Sequence, residues 1–372
     1  MSTQQTNLDD DEIEGLGKDE DTGWGEYPID TVLIRNENRT VHDVLRRIEK
    51  GTFVMNPDFQ RDFIWPQDKQ SKLIESVLMR IPLPVFYLAE DDAGRMVVVD
   101  GLQRLSTFRR FVNNELQLKL PGQDELNNKL FNKLSPKLQN RVEDCNLILY
   151  VIDAKVPEKA RLDIFERVNS GIPLTRQQMR NSLYMGSATS FLKAEAKTQI
   201  FIKATGKSLK TSTMRDREFV NRFCAFQLLP IEEYKGDMDD FLAKALKLMN
   251  HMGKRELEKL SSEFRTSLAN NFKVFGQHAF RKHVKDQDNR TVLNASLWDV
   301  MSTGLSRYPE NIVEARAKRL QLAFFKLLSS GESEDINFTK SITYGPNDMR
   351  KVKFRFAAAR EMFKEVFNAY PS

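Results

Sequence analysis

The chain has 372 residues, 40% of them hydrophobic, and a net charge of +5, enough apolar material for two cores and too much for global disorder. No apolar run approaches the ~18 residues of a membrane helix, and no basic segment followed by an apolar core opens the chain, so the expectation is a cytoplasmic protein without membrane attachment. Two cysteines, Cys145 and Cys224, and histidines at 42, 251, 278 and 283 supply neither a zinc framework nor a disulfide scaffold; two core-type thiols and no metal ligands are expected.

In chain order, residues 1–22 set eight acidic side chains against the single Lys18. The composition predicts an acidic disordered arm over residues 1–28 that shields a basic surface, because the rest of the chain is more basic than its net charge shows. From 29 to 186 short apolar runs alternate with helical patterns, the signature of a mixed α/β domain. Strands are predicted at Thr31–Ile34, Val85–Leu88, Met96–Val99, Leu116–Leu120 and Leu147–Ile152, and helices at Val41–Lys50, Gln67–Met79, Leu102–Val112, Pro136–Val142 and Glu158–Val168. Strand signals then fade, and residues 187–372 read as an all-helical domain, with helices at Asp216–Leu229, Asp237–Met252, Lys254–Phe275, Ser296–Tyr308 and Asn311–Leu328. One exception is a hairpin of Ile336–Ile342 and Lys351–Phe356 around Tyr344-Gly345-Pro346-Asn347.

Three clusters carry chemistry. The first is Asp100-Gly101-Leu102-Gln103-Arg104, where an apolar strand ends in a tight turn and a helix begins. The first N–H groups of a helix lack intrahelical partners and its dipole favours negative charge, so the turn reads as an anion or nucleotide site. Here Asp100 can orient an attacking water or hold a metal, Gln103 can hydrogen-bond a phosphate or base, and Arg104 can neutralise charge that develops in phosphoryl transfer. As a bland reading, Asp-Gly after a strand is an ordinary turn. The second cluster, Phe59-Gln60-Arg61-Asp62-Phe63-Ile64-Trp65, interleaves Arg with aromatics and offers Gln60 and Arg61 as contacts, with Phe59, Phe63 and Trp65 as apolar support. In the third, Arg167-Val168-Asn169-Ser170-Gly171 ends one helix, and Thr175 caps the next. Capping explains most of it, yet Arg167, Asn169 and Arg180 can also close over an anion.

Three further patterns carry less. Thr205-Gly206-Lys207-Ser208 ends like a phosphate-binding loop, but Phe201 occupies the position of the first glycine. Asp153-Ala154-Lys155, with Asp144 upstream, is a short and common metal-nuclease pattern. His278 and His283 are spaced too far apart to share a helix face.

The clusters in this order resemble the family that forms the N-terminal part of GmrSD-type, modification-dependent restriction endonucleases. The residues concerned are Phe59-Gln60-Arg61, Phe63 and Trp65; Leu73-Ile74, Ser76, Leu78, Pro82 and Pro84; Asp100-Gly101, Gln103, Arg104 and Leu105; and Arg167, Asn169, Gly171, Pro173-Leu174 and Arg180-Asn181. The resemblance covers roughly residues 29–186 and departs at Leu102, where many relatives have a second Gln. It implies an α/β (α+β) fold of the ParB/sulfiredoxin-like type that binds, and in some members hydrolyses, a nucleoside triphosphate with Mg²⁺ while working on DNA. Carried over by residue, Asp100 and Arg104 belong to the nucleotide or phosphate site, and on the residue reading they are its catalytic pair. Gly101, Gln103, Gln60 and Arg61 line the nucleotide or phosphate site, joined on the residue reading by Arg167, Asn169 and Arg180.

The expectation is therefore an NTP-hydrolysing, DNA-associated protein of the restriction or phage-defence type. No C-terminal HNH nuclease module is read in residues 187–372, which are expected to bind DNA, a separate nuclease partner or a second copy of the chain. Alternatives are a non-enzymatic DNA or nucleotide sensor, and a direct nuclease or phosphotransferase on the same fold.

Overall fold

The computed structural model describes residues 13–16, 34–55, 65–91, 93–168, 175–283, 289–329 and 336–367. They divide into two compact units, Trp24–Met185 and Gly186–Ser372, the second including Met1–Gly23. The fold is mixed α/β in the first and helical in the second, as the patterning predicts. No described helix is long and apolar enough to cross a membrane.

The first unit runs β1 (Ile34–Thr40), α1 (Val41–Glu49), β2 (Phe53–Val54), α2 (Gln67–Leu78), β3 (Phe86–Glu90), β4 (Met96–Asp100), α3 (Leu102–Val112), α4 (Pro136–Glu143), β5 (Asn146–Ile152), α5 (Glu158–Val168) and α6 (Arg176–Leu183). Its strands form one sheet in the order β1-β5-β3-β4-β2. The β1/β5 and β3/β4 pairs are antiparallel, β3/β5 and β2/β4 parallel.

Alternation decides the faces. Leu147, Leu149 and Val151 of β5 are buried with Phe86, Leu88 and Val98 against Val44, Ile74, Phe108, Phe111 and Val142 of α1 to α4, while Ile148 points the other way and is 41% exposed. Burying each side chain of this size contributes roughly 1.5–3 kcal/mol. On the second face α5 and α6 pack against β4, and Asn36, Asn38 and Ile148 remain exposed at the β1–β5 side.

Thr40 starts α1 by accepting the Asp43 N–H at 3.2 Å, and Thr175 with Gln178 forms a capping box on α6. Of the predicted strand Thr31–Ile34 only Ile34 lies among the described residues, where it begins β1. Leu116–Leu120 is not a strand. Leu116, Leu118 and Leu120 are buried in alternation, but the backbone is satisfied by a local loop and by side chains: Leu118 N–H to Lys129 O (3.0 Å), Lys119 N–H to Ser71 Oγ (2.8 Å) and Leu120 N–H to Asn127 Oδ1 (2.9 Å). Period two marks an extended chain over a core, not a ladder.

The second unit contains α7 (Ser187–Glu195), α8 (Gln199–Thr205), α9 (Arg215–Leu228), α10 (Met238–His251), α11 (Lys254–Phe275), α12 (Ala295–Leu305), α13 (Glu310–Ala315), α14 (Ala317–Ser329), α15 (Phe338–Thr343) and α16 (Met349–Phe367). Trp298 on α12 sits fully buried among Phe201, Phe219, Phe264 and Phe280 and donates its indole N–H to Phe219 O at 2.8 Å. Beside it Asp299 receives Arg222 through two bonds of 2.8 and 2.6 Å and Arg355 through one of 3.2 Å, all three side chains buried.

Three expectations are corrected here. The hairpin of residues 336–356 is two helices: Asn337 caps α15 by accepting the Lys340 N–H at 2.7 Å, and α16 buries Val352, Ala359, Phe363 and Val366 at helical spacing. The predicted turn joins them, with Asn347 O accepting from the Tyr234 hydroxyl at 2.6 Å. The helix expected over Asn311–Leu328 is interrupted at Arg316, whose φ and ψ of −115° and 10° leave the helical region. Within the acidic arm, residues 13–16 are docked onto the helical unit. Glu14 exchanges backbone bonds with Leu293 O (3.0 Å) and the Ala295 N–H (2.8 Å), and its carboxylate meets Lys282. Asn347 Nδ2 donates to Leu16 O at 3.0 Å.

Candidate nucleotide site

Strand β4 ends at Asp100, and the chain reverses through Gly101 at φ +98°, the αL region. A Cβ there would lie 2.2 Å from the Phe86 ring, so both the turn and the close approach require glycine. α3 begins at Leu102, leaving its first-turn N–H groups without partners inside the helix. Leu102 itself packs against the core, which accounts for an apolar residue between two polar ones.

One turn into α3, Arg104 is buried. Its Nη2 donates to Asp100 Oδ2 at 2.8 Å and to Val85 O at 3.0 Å, its Nη1 donates to Pro84 O, and the guanidinium lies 4.1 Å over the Phe86 ring. Burial lowers the Arg104 pKa, opposed by the Asp100 charge. The side chain thus clamps the turn to the start of β3. Asp100 is fixed through Oδ2, and its Oδ1 has no partner among the described residues. Asp100 pairs across the sheet with Tyr87, Tyr87 with Tyr150, and Tyr150 with Asn36, and the two tyrosine rings stand 5.6 Å apart. The carboxylate therefore ends a row of polar and aromatic side chains on the second face.

Gln103 lies elsewhere. It lines a cavity of about 200 Å³ with Met55, Gln70, Ser106, Thr107, Arg109, Arg110 and one carboxylate, Glu115. Its Oε1 accepts the Trp65 N–H at 3.0 Å, and Gln70 Oε1 accepts from Arg110 Nη1 at 2.8 Å. Trp65 packs on the core with the Lys69 ammonium 4.4 Å over its ring, so it is apolar support, as read from the sequence. Ser106 Oγ is buried with no partner, Arg109 is exposed, and the Gln103 amide nitrogen has no partner among the described residues. Hydroxyl, amide and guanidinium groups around a cavity of this size suit a polar heteroaromatic ligand carrying an anionic group.

Arg180 is buried on α6, where its Nε and Nη2 reach Gln177 Oε1 at 3.1 and 3.0 Å. Arg167 is exposed in the last turn of α5. Both helices flank β4, so the third cluster shares that strand with the turn. Gln60, Arg61 and Asn169 lie outside the described residues. The structure thus joins Asp100, Gly101 and Arg104 at one spot and turns Gln103 into a separate cavity on the same helix.

Gln70, Ser106, Arg109, Arg110, Tyr87 and Tyr150 were not singled out from the sequence. For Gln70 a signal existed: it interrupts the otherwise apolar stripe of Leu73, Ile74 and Val77 on α2.

The weaker patterns resolve simply. Gly206 is an αL helix cap at φ +65°, and Arg281 binds Thr205 O at 2.8 Å, so this is a helix end. Asp153 accepts the Lys155 N–H at 2.9 Å and faces Arg35 at 3.5 Å, a turn in an ion-pair network. His278 and His283 lie outside the long helices and stack at 4.4 Å despite their spacing. Burial first, then His278, pushes His283 down to about 4. Among the described residues no group of three or more His, Cys, Asp or Glu side chains is placed to hold a metal. A Mg²⁺ ion carried by a nucleotide needs only one or two carboxylates, and Asp100 Oδ1 fits that requirement.

Residues 41–185 match the family described as GmrSD restriction endonuclease, N-terminal domain. No curated protein matches the chain.

Proposed function

Because residues 41–185 match the GmrSD restriction endonuclease N-terminal domain family, we propose that this protein binds a nucleoside triphosphate in the Gln103 cavity beside the Asp100–Gly101 turn and uses it while acting on DNA in restriction or phage defence. The observation that carries the nucleotide reading is the cavity of Gln103, Gln70, Ser106, Arg109 and Arg110 at the first turns of a helix whose start is held by the Gly101 turn. In this reading Gln103 and Ser106 bind the base or sugar edge, and Arg109 and Arg110 face phosphates. Arg167 and Arg180 flank β4. Mg²⁺, when bound with the triphosphate, would supply neutralisation of phosphate charge.

The fold is of the ParB/sulfiredoxin-like type in this proposal, and strand cutting belongs to a separate nuclease partner or to an assembly of copies. Fluorescent-nucleotide binding and phosphate release by wild type, Gln103→Ala and Asp100→Asn, with and without DNA, test it. Binding lost in Gln103→Ala and turnover lost in Asp100→Asn are expected; a folded wild type that binds none of the four triphosphates defeats the reading.

A second reading, a nucleotide or DNA sensor without turnover, is favoured by one observation. The guanidinium of Arg104 is consumed by Asp100, Pro84 and Val85 and so is not free to meet charge developing in phosphoryl transfer. Tight nucleotide binding with no phosphate release would select it.

A further inference from the structure

The helical unit carries a cleft between the end of α12 and the last turns of α16. Arg307, Arg360 and Lys364 form its rim, and Gly304, Tyr308 and Phe363 lie beneath them. All three cations are exposed. Lys364 is shared with Glu361 at 2.7 Å, whereas Arg307 and Arg360 have no ion-pair partner among the described residues. No acidic side chain lines the cleft. The floor is packed: a Cβ on Gly304 would lie 2.1 Å from the Phe363 ring, and Tyr308 stacks on Phe367 with centroids 4.2 Å apart.

Burial raises the Tyr308 pKa and keeps the phenol protonated at neutral pH. The cleft encloses about 60 Å³, room for about two waters and too little for a nucleobase. The three cations at the rim suit a compact anion. The charge also continues: Arg350 and Lys353 are exposed on the same helix at helical spacing from Arg360 and Lys364, with Asp348 3.7 Å from Arg350. This stripe runs roughly 21 Å at 1.5 Å per residue. A row of cations on one rigid helix, with a phosphate-sized cleft at one end, is complementary to a row of phosphates.

We propose that this face seats the sugar–phosphate backbone of duplex DNA, one phosphate in the cleft of Arg307, Arg360 and Lys364 and its neighbours along Lys353 and Arg350. The inference rests on the reading that the protein acts on DNA, and it assigns the contact to the helical unit. Such contacts position a duplex without reading its sequence.

The test is fluorescence anisotropy of a labelled random-sequence duplex with the full chain, between about 50 and 200 mM salt. Arg307→Ala/Arg360→Ala is expected to weaken binding about tenfold and to lower the slope of log affinity against log salt by about 2. Arg307→Lys/Arg360→Lys is expected to stay near wild type, and both variants to melt with wild type because the side chains are exposed. Wild-type binding that the alanine pair leaves unchanged in affinity and slope overturns this face but not the DNA reading; a loss as large in the lysine pair overturns its charge-based role. A wild type that binds no duplex at the lowest salt overturns both.

Discussion

Asp100 at the end of β4 and Arg104 in the first turn of α3 meet at 2.8 Å, and the same guanidinium nitrogen donates to Val85 O at 3.0 Å. A residue read from its motif as a transition-state cation is, in the fold, the clamp that aims a carboxylate. The two roles separate experimentally. Arg104→Ala leaves the Pro84 and Val85 carbonyls without their donor and is expected to cost about 2–4 kcal/mol in urea denaturation. Asp100→Asn, which keeps a side chain of the same shape, is expected to stay within about 1 kcal/mol while phosphate release falls. Stability lost by neither variant would remove the clamp.

Gly101→Ala combines a left-handed backbone with a Cβ 2.2 Å from the Phe86 ring. A cost of about 2–4 kcal/mol is expected, larger than the roughly 1 kcal/mol of an open αL position. Gly51→Ala, at φ +72° with nothing within 4 Å, is the control that isolates the backbone part. Equal melting shifts for the two would show that Phe86 yields freely.

At the start of α1, Arg46 first, and then Arg39 and Arg47, hold the Asp43 carboxyl well below the usual range of 3.8. A depressed folded pKa stabilises the fold above the unfolded value, and that contribution is lost as pH falls from 3.8 towards the folded one. Asp43→Asn is expected to cost about 0.5–1 kcal/mol at neutral pH, since the group is partly solvated. Its stability relative to wild type should then recover as the medium is acidified below about 4. A constant difference across that range would contradict the pairing.

Cys224 is fully buried on α9, and burial drives its thiol pKa far up; Cys145 is half-buried and shifted the same way. Thiol labelling of the native protein at neutral pH should modify Cys145 slowly and Cys224 only after unfolding. Rapid native labelling at Cys224 would show that the core around Phe223 opens.

Local signals made α3 legible to its last residue: a glycine that no other residue replaces at one end, and an apolar spacing that continues to Val112. The same kind of signal misled at Leu116–Leu120, because alternation reports which side chains are buried and not what the backbone pairs with. For residues 336–356, a Gly-Pro-Asn run reads as a hairpin turn although Asn337 and the stripe of α16 specify helices on either side. At the site, the turn was visible because its parts are adjacent in sequence. The cavity was not: Gln70 and Arg110 meet only once α2 and α3 pack, and the 2.8 Å bond between them has no counterpart in spacing.

The docked Glu14-Gly15-Leu16 segment changes what counts as an end of this polypeptide. Met1–Gly23 groups with Gly186–Ser372, so in sequence the α/β unit is inserted within the helical one. Cutting the chain before residue 24 would strip the helical unit of the strand-like partner that Leu293 and Ala295 bond. A helical unit begun at Gly186 is therefore a different molecule from the one within the whole chain, and supplying residues 13–16 as a peptide is the natural way to restore it.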